Sequence, residues 1–324
     1  LHQIEEVFMH TRSLGSTGLQ VAPLCLGGNV FGWTCDEPTS FEVLDAYMAG
    51  GGNFIDTADV YSRWAPGHTG GESEAVLGRW MQARGNRAEV IIATKAGSPM
   101  GDGPNQRGLS RQHIMHAVEA SLRRLQTDYI DLYQAHFDDP HTPLDETLRA
   151  FDDLIRQGKV RYIGASNYHS WRLMQALWTS DRHGYAAYVC LQPKYNLVDR
   201  AEFEAELAPM CQAMGLGVIS YSSIAGGFLS GKYRRDGAMP TTARAGTVQQ
   251  RYFHARGWAV LDAVLQVAEA RGATPTQVAL SWLLAKPVIT APIASATSVA
   301  QLRELLGAVN LQLTAEEIAL LESA

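Results

Sequence analysis

Short apolar runs alternate with longer amphipathic segments along almost the whole chain. The runs cover residues 24–26, 53–56, 90–95, 129–136, 160–166, 188–192, 217–221 and 288–292. They have strand length, and they are apolar enough to be buried on both faces, as parallel strands are. Helical patterns lie between them, at 39–49, 72–82, 110–125, 143–156, 171–179 and 205–214. After the seventh run the alternation pauses in a long Gly-, Arg- and Thr-containing loop over 222–256. Two helical segments follow, 258–271 and 276–285, with further helices to 307 and from 314 onward.

The helix starts are marked by capping chemistry. Thr142 reads as a cap with Pro143 at the first helical position, and Gly158 follows that helix. Thr274 is followed by Pro275 and Gln277, Ser298 by Gln301, and Thr314 by Glu317, each the spacing of a capping box. Eight repeats of strand then helix predict a (β/α)8 barrel, an α/β fold. A small hairpin at 11–22, turning near Ser16-Thr17-Gly18, precedes the barrel, and additional helices follow strands seven and eight. A doubly wound sheet is the alternative. It usually carries a GxGxxG turn after its first strand, which Gly27-Gly28 and Gly50-Gly51-Gly52 do not make. No linker interrupts the pattern, so residues 9–324 read as a single domain. Met9 reads as a native start, with 1–8 an upstream extension.

Composition narrows the classes. The 324 residues are 46% hydrophobic and 19% charged, enough for a large core. A net charge of -6 and a pI near 5.9 argue against a nucleic-acid partner. No apolar run approaches the roughly 18 residues of a membrane helix, and the N-terminus lacks a signal-peptide pattern. Cys25, Cys35, Cys190 and Cys211 are widely spaced and form no CxxC pair. That spacing suggests neither a metal site nor redox chemistry, and free thiols suit a cytoplasmic protein.

The candidate chemistry sits at the ends of the strands. The stretch GGNFIDTADVY runs from a helix stop through a short strand to Asp56, with Tyr61 five residues on. Either could be ordinary, Asp56 as a cap and Tyr61 as a surface residue. Yet the other strands end alike, at Gly28-Asn29, Lys95, His136, Ser166-Asn167, Gln192 and Tyr221-Ser222, with Ser295 just past the eighth. The C-terminal strand ends of a barrel form one face. Asp, Lys, Tyr and His converging there make a proton-transfer constellation.

The motifs FIDTADVY, ATK, DLYQAH, RQGKVRYIGASN, LQPKYN and YSSIAGGFLSGKY follow one another in order. With them the chain resembles the aldo-keto reductase superfamily from Thr11 onward, in the branch that includes potassium-channel β subunits and many bacterial reductases. The resemblance implies a nicotinamide cofactor bound without a Rossmann domain, and carbonyl reduction. It assigns Tyr61 as general acid, Asp56 as partner of Lys95, and His136 as a hydrogen-bond donor or proton relay at the substrate oxygen. A Lys95 cation beside Tyr61 is expected to lower the phenol's pKa from its ordinary value of about 10. It places the cofactor at the strand ends: Gly28, Asn29 and Asp56, then Ser166, Asn167 and Gln192 at the carboxamide and Tyr221 on the ring. Ser222, Ile224 and Gly226 meet the pyrophosphate. Ser295, Thr297, Gln301 and Glu304 match cofactor-facing positions.

Lys232 and Arg244 in the long loop are the candidate cations for a 2′-phosphate, favouring NADPH over NADH. Two departures bear on this choice. Ser298 stands where many relatives have Arg or Lys, and Leu305 where an Asn often meets adenine. Trp33, Trp64 and Phe137 are candidate walls of an apolar cleft for small carbonyl substrates. An NAD-dependent alcohol or sugar dehydrogenase and a regulatory subunit with little turnover are the alternatives on this scaffold.

Overall fold

The hairpin of β1 (Arg12–Ser13) and β2 (Gln20–Val21) closes one end of a barrel. Its Leu14 and Val21 pack into an apolar cluster with Cys25, Phe54, Ala93, Leu132 and Ile219 from the strands. The Arg12 guanidinium ties it down by donating to the carbonyls of Ile289 (2.9 Å) and Leu284 (3.1 Å). This is a computed structural model, and it describes residues 10–324. The expected extension over 1–8 and the start at Met9 lie outside the described residues.

Eight parallel strands follow: β3 (Cys25–Gly27), β4 (Phe54–Asp56), β5 (Ile91–Ala96), β6 (Ile130–Ala135), β7 (Val160–Ser166), β8 (Tyr188–Gln192), β9 (Gly217–Val218) and β10 (Ile293–Ala294). From β3 to β9 each pairs with the next, and β10 pairs with β3. The ring closes through backbone bonds. The Val218 carbonyl accepts from Thr290 N at 2.8 Å, and Ser220 O accepts from Ile293 N at 2.8 Å. Helices α1 (Glu37–Ala49), α2 (Glu72–Arg84), α3 (Arg111–Leu125), α4 (Leu144–Arg156) and α5 (Ser170–His183) surround it. They continue with α6 (Ala208–Ala213), α7 (Ala245–Tyr252), α8 (Ala255–Arg271), α9 (Pro275–Leu284), α10 (Val299–Gly307) and α11 (Ala315–Ser323). The expected (β/α)8 barrel is therefore the fold. No helix among the described residues is long and apolar enough to cross a membrane.

Alternation of side chains along the strands sorts the molecule into layers. Phe54, Ala93 and Cys190 point into the barrel. Two residues on, Asp56, Lys95 and Gln192 form a polar layer above them. The residues between, such as Ile55, Ile92 and Leu191, face the helices in the larger core.

Several elements differ from the sequence reading. Thr142 does not cap α4. Pro143 occupies the cap position, and the Thr142 hydroxyl donates to Asp139 at 2.7 Å. The expected helix over 205–214 opens as a π turn, Phe203–Leu207, before α6. Pro209 explains it, because proline removes a helical donor and crowds the carbonyl four residues back. The eighth strand lies at Ile293–Ala294 rather than 288–292. Pro287 precedes the expected segment and Pro292 ends it, and the segment makes isolated bonds to β9 instead of a regular ladder. The long loop contains a 3₁₀ segment, Ala225–Ser230, and α7, which buries Val248 and Tyr252 four residues apart. The Thr274 and Thr314 capping boxes form as expected. Ser298 caps α10, but Gln301 turns its side chain back to Thr297 instead.

Candidate active site

The polar layer converges on Lys95. Its side chain is fully buried, and Nζ lies 2.7 Å from both Asp56 oxygens, 2.8 Å from Thr57 O and 2.9 Å from Tyr61 Oη. Asp56 also accepts from Gln192 Nε2 at 2.8 Å and from the Tyr61 hydroxyl at 3.2 Å. A buried lysine and carboxylate are tolerable only when paired and hydrogen-bonded in this way. Tyr61 is carried by the loop after β4, which turns sharply at Ser62 with φ 76°. Among the described residues, four of the five non-glycine residues with positive φ, Ser62, Asn167, Ser222 and Ala225, lie in the segments that carry this site. Such backbone costs on the order of 1–3 kcal/mol each and gathers at functional positions.

The electrostatics at Tyr61 differ from expectation. Burial raises its pKa well above the phenol value, and the neighbouring Asp56 carboxylate raises it further. Lys95 is shared among Asp56, Thr57 and Tyr61, and the carboxylate that holds it also opposes a phenolate. Tyr61 is therefore protonated, where the sequence suggested a lowered pKa. His136 moves the other way. Burial, then repulsion from Lys95, depress it to about 3, so the imidazole is neutral. Its Nδ1 lies 3.1 Å from Ser98 Oγ.

A cavity of about 280 Å³ opens over this network, lined by Tyr61, Asp56 and His136 on one side. Ser166, Asn167, Gln192 and Tyr221 line the other. These four are tied together: Ser166 Oγ donates to Gln192 O (2.8 Å), Asn167 Nδ2 to Ser166 Oγ (3.0 Å), and Tyr221 Oη to Asn167 Oδ1 (2.8 Å). Asn29 and Ser295, bonded at 2.7 Å, complete the floor, with Ser222 at the rim. Gly28 does not reach the cavity. It packs on α2, where an added Cβ would stand 2.9 Å from Ser73 Oγ, and its neighbour Gly27 is the lining residue.

A second cavity of about 480 Å³ continues from the first, sharing Ile224, Gly226, Arg244 and Ser295. Lys232, Thr297, Gln301 and Glu304 line it as expected. So do Thr34, Ser230, Thr242 and Thr276, which no motif marked. Leu305 lies in its wall, whereas Ser298 serves only as the α10 cap. Arg244 is partly buried and Lys232 is exposed, and neither is in an ion pair among the described residues. Partial desolvation lowers both pKa values, and Arg244 adds its repulsion to Lys232. Two cations lining one cavity are chemically suited to a phosphate. An elongated ligand with an amide at one end and phosphates beyond fits the joined cavities, as a nicotinamide dinucleotide does.

The aromatic candidates surround the Tyr61 side. Trp33 meets Trp64 edge-on at 5.5 Å, and Trp64 meets Tyr61 at 5.9 Å. Phe137 stacks on His136 at 4.9 Å and 12°. Trp64 and Phe137 are about half exposed, at 50% and 51%. Trp33 also lines the larger cavity, which places it between the two expected roles.

Comparison with known proteins agrees with this geometry. Residues 23–324 match the family model described as the aldo/keto reductase family. The chain is 40% identical over 314 residues to the uncharacterized oxidoreductase YrpG of Bacillus subtilis, covering 95% of this chain and 93% of that one. It is 33% identical over 340 residues to protein tas of Escherichia coli, covering 97% of each. It is also 33% identical over 313 residues to a probable voltage-gated potassium channel subunit beta of Arabidopsis thaliana, covering 93% and 92%. The chain belongs to the aldo/keto reductase family and is an NAD(P)-dependent oxidoreductase.

Proposed function

We propose that this protein reduces aldehydes and ketones to alcohols with NADPH, Tyr61 donating the proton. The observation that carries the reading is the Tyr61 hydroxyl, held between Lys95 and Asp56 at the wall of a cavity also lined by Ser166, Asn167, Gln192 and Tyr221. The nicotinamide supplies the hydride, and the protein supplies geometry and electrostatics. Asn167, Ser166 and Gln192 orient the carboxamide, and Tyr221 lies against the ring. Asn29 and Ser295 border the same end. Ser222, Ile224 and Gly226 meet the pyrophosphate. Thr297, Gln301 and Glu304 meet the adenosine end, and Lys232 and Arg244 take the 2′-phosphate.

As hydride reaches the carbonyl carbon, negative charge develops on its oxygen. The Tyr61 hydroxyl rotates from Asp56 to that oxygen and gives up its proton. A raised phenol pKa does not prevent this, because an alkoxide is the stronger base. The resulting phenolate is stabilised by the Lys95 ammonium, a charge-assisted bond stronger than a neutral one. Neutral His136 donates a second hydrogen bond to the oxygen. Its depressed pKa removes the proton-relay role through an imidazolium at neutral pH. Trp33, Trp64 and Phe137 favour an apolar, flat substituent on the carbonyl.

The test is the initial rate of NADPH and of NADH oxidation with an aromatic aldehyde. A rate with NADPH exceeding that with NADH is expected. No rate with either, despite measurable cofactor binding, overturns the reading.

A further inference from the structure

Ser98 lies in the loop after β5, three residues past Lys95, and is 5% exposed. Its Oγ is 3.1 Å from His136 Nδ1, and among the described residues neither atom has another hydrogen-bond partner. The histidine is otherwise firmly seated. Its backbone N–H donates to Ala96 O at 2.9 Å, and its carbonyl accepts from Asn167 Nδ2 at 3.0 Å. Its ring stacks on Phe137 and meets Tyr61 at 6.1 Å and 71°. With Nδ1 taken by Ser98, Nε2 is the remaining polar atom of a ring that lines the inner cavity.

A neutral imidazole has one donor nitrogen and one acceptor, and the bond at one nitrogen decides the state of the other. If Nδ1 carried the proton, Nε2 would present a lone pair to the carbonyl oxygen, and the two would repel. If Ser98 donates to Nδ1, Nε2 carries the proton and faces the oxygen as a donor. The serine hydroxyl has no competing acceptor, so its proton is available for Nδ1. Because burial and Lys95 keep the ring uncharged, the tautomer is what determines whether His136 helps or hinders the reaction.

We propose that Ser98 is a positioning residue for carbonyl reduction, its hydroxyl donating to His136 Nδ1 and thereby fixing the ring proton on Nε2 toward the substrate oxygen. The proposal rests on the reading that His136 contacts that oxygen. No motif in the sequence pointed to Ser98.

The experiment pairs nitrogen NMR of ¹⁵N-histidine-labelled protein with steady-state kinetics, for wild type, Ser98→Ala and Ser98→Thr. A His136→Gln spectrum assigns the His136 signals. In the wild type at pH 7 the Nε2–H form is expected alone. In Ser98→Ala the two tautomers mix, and kcat with an aromatic aldehyde falls about five- to tenfold, the worth of one orienting hydrogen bond. Cofactor affinity stays unchanged, and Ser98→Thr restores both tautomer and rate. A wild-type Nδ1–H form overturns the proposal. So does a Ser98→Ala protein with the wild-type tautomer, or one with mixed tautomers and an unchanged kcat. The tautomer is read without turnover, so a failure of the carbonyl-reductase reading is distinguishable from a failure here.

Discussion

Replacing Tyr61 with phenylalanine removes one oxygen from the centre of the Lys95 network. Lys95 loses an acceptor at 2.9 Å but keeps both Asp56 oxygens at 2.7 Å and Thr57 O at 2.8 Å. Asp56 loses a weak donor at 3.2 Å and keeps Lys95 and Gln192. Neither buried charge is left unpaired, so the stability cost is about 1–2 kcal/mol. The catalytic cost is larger, because a positioned acid is worth about 10²–10⁴ in rate. We expect kcat for aldehyde reduction to fall by about that factor while cofactor affinity, measured by fluorescence titration, changes less than about twofold. The wild-type pH profile carries the same argument. Tyr61 donates only when protonated, so its contribution is complete below its pKa and is lost as pH rises through it. Burial and Asp56 place that pKa above the ordinary phenol range, and His136 is neutral above about 3. Reduction is therefore expected to be flat between about pH 5 and 9. A Tyr61→Phe enzyme within about threefold of wild type refutes the acid assignment, because no other acid here supplies that factor. A loss of wild-type rate centred between about pH 7 and 8 refutes the raised phenol.

Arg244→Ala is expected to weaken NADPH by about tenfold or more and NADH much less, because the guanidinium meets the 2′-phosphate as a charge-assisted pair. Equal loss for both cofactors, by titration, moves the phosphate site elsewhere. Asp59→Asn is expected to raise the thermal midpoint at pH 7 and to leave it unchanged near pH 4. Asp59 is 1% exposed, and among the described residues neither carboxyl oxygen has a hydrogen-bond partner. Burial, then Glu74, raise its pKa well above the carboxylate value. An acid with a raised folded pKa contributes full stability below its unfolded pKa of about 3.9, and loses it as pH rises toward the folded value. The asparagine has no proton to lose, so the gain appears only at the higher pH. Calorimetry at the two pH values checks this, and an equal or reversed shift refutes it.

The barrel and the catalytic strand ends were legible because period-two alternation leaves a mark in sequence. Phe54, Ala93 and Cys190 are apolar and inward, so Asp56, Lys95 and Gln192 two positions later must enter the same interior. Only pairing or function keeps such residues there. Local chemistry likewise showed the caps at Thr274 and Thr314. What escaped depended on contacts distant in sequence or on competition between neighbours. Ser98 sits in an ordinary Gly- and Pro-containing loop, and its partner is 38 residues away. The pKa of Tyr61 turns on whether Lys95 or Asp56 dominates after burial, and both residues are visible in sequence while their balance is not. α7 carries only Val248 and Tyr252 as buried residues beside Gly246 and Thr247, too thin a periodic signal for a helix.

The two ends of the joined cavity differ in how completely they are satisfied. At the inner end, Asp56, Lys95, Tyr61 and Gln192 hold one another through hydrogen bonds within the protein. Fixed dipoles of that kind stabilise developing charge without reorganising during the reaction. At the far end, Arg244 repels Lys232, and Gly226 and Gly227 beside them are held in left-handed conformations. On the proposed reading, a phosphate bound there would offset the repulsion between the two cations. On that reading, binding energy gathered at the phosphate would position the reacting ring against a network already formed, which is how remote contacts contribute to rate.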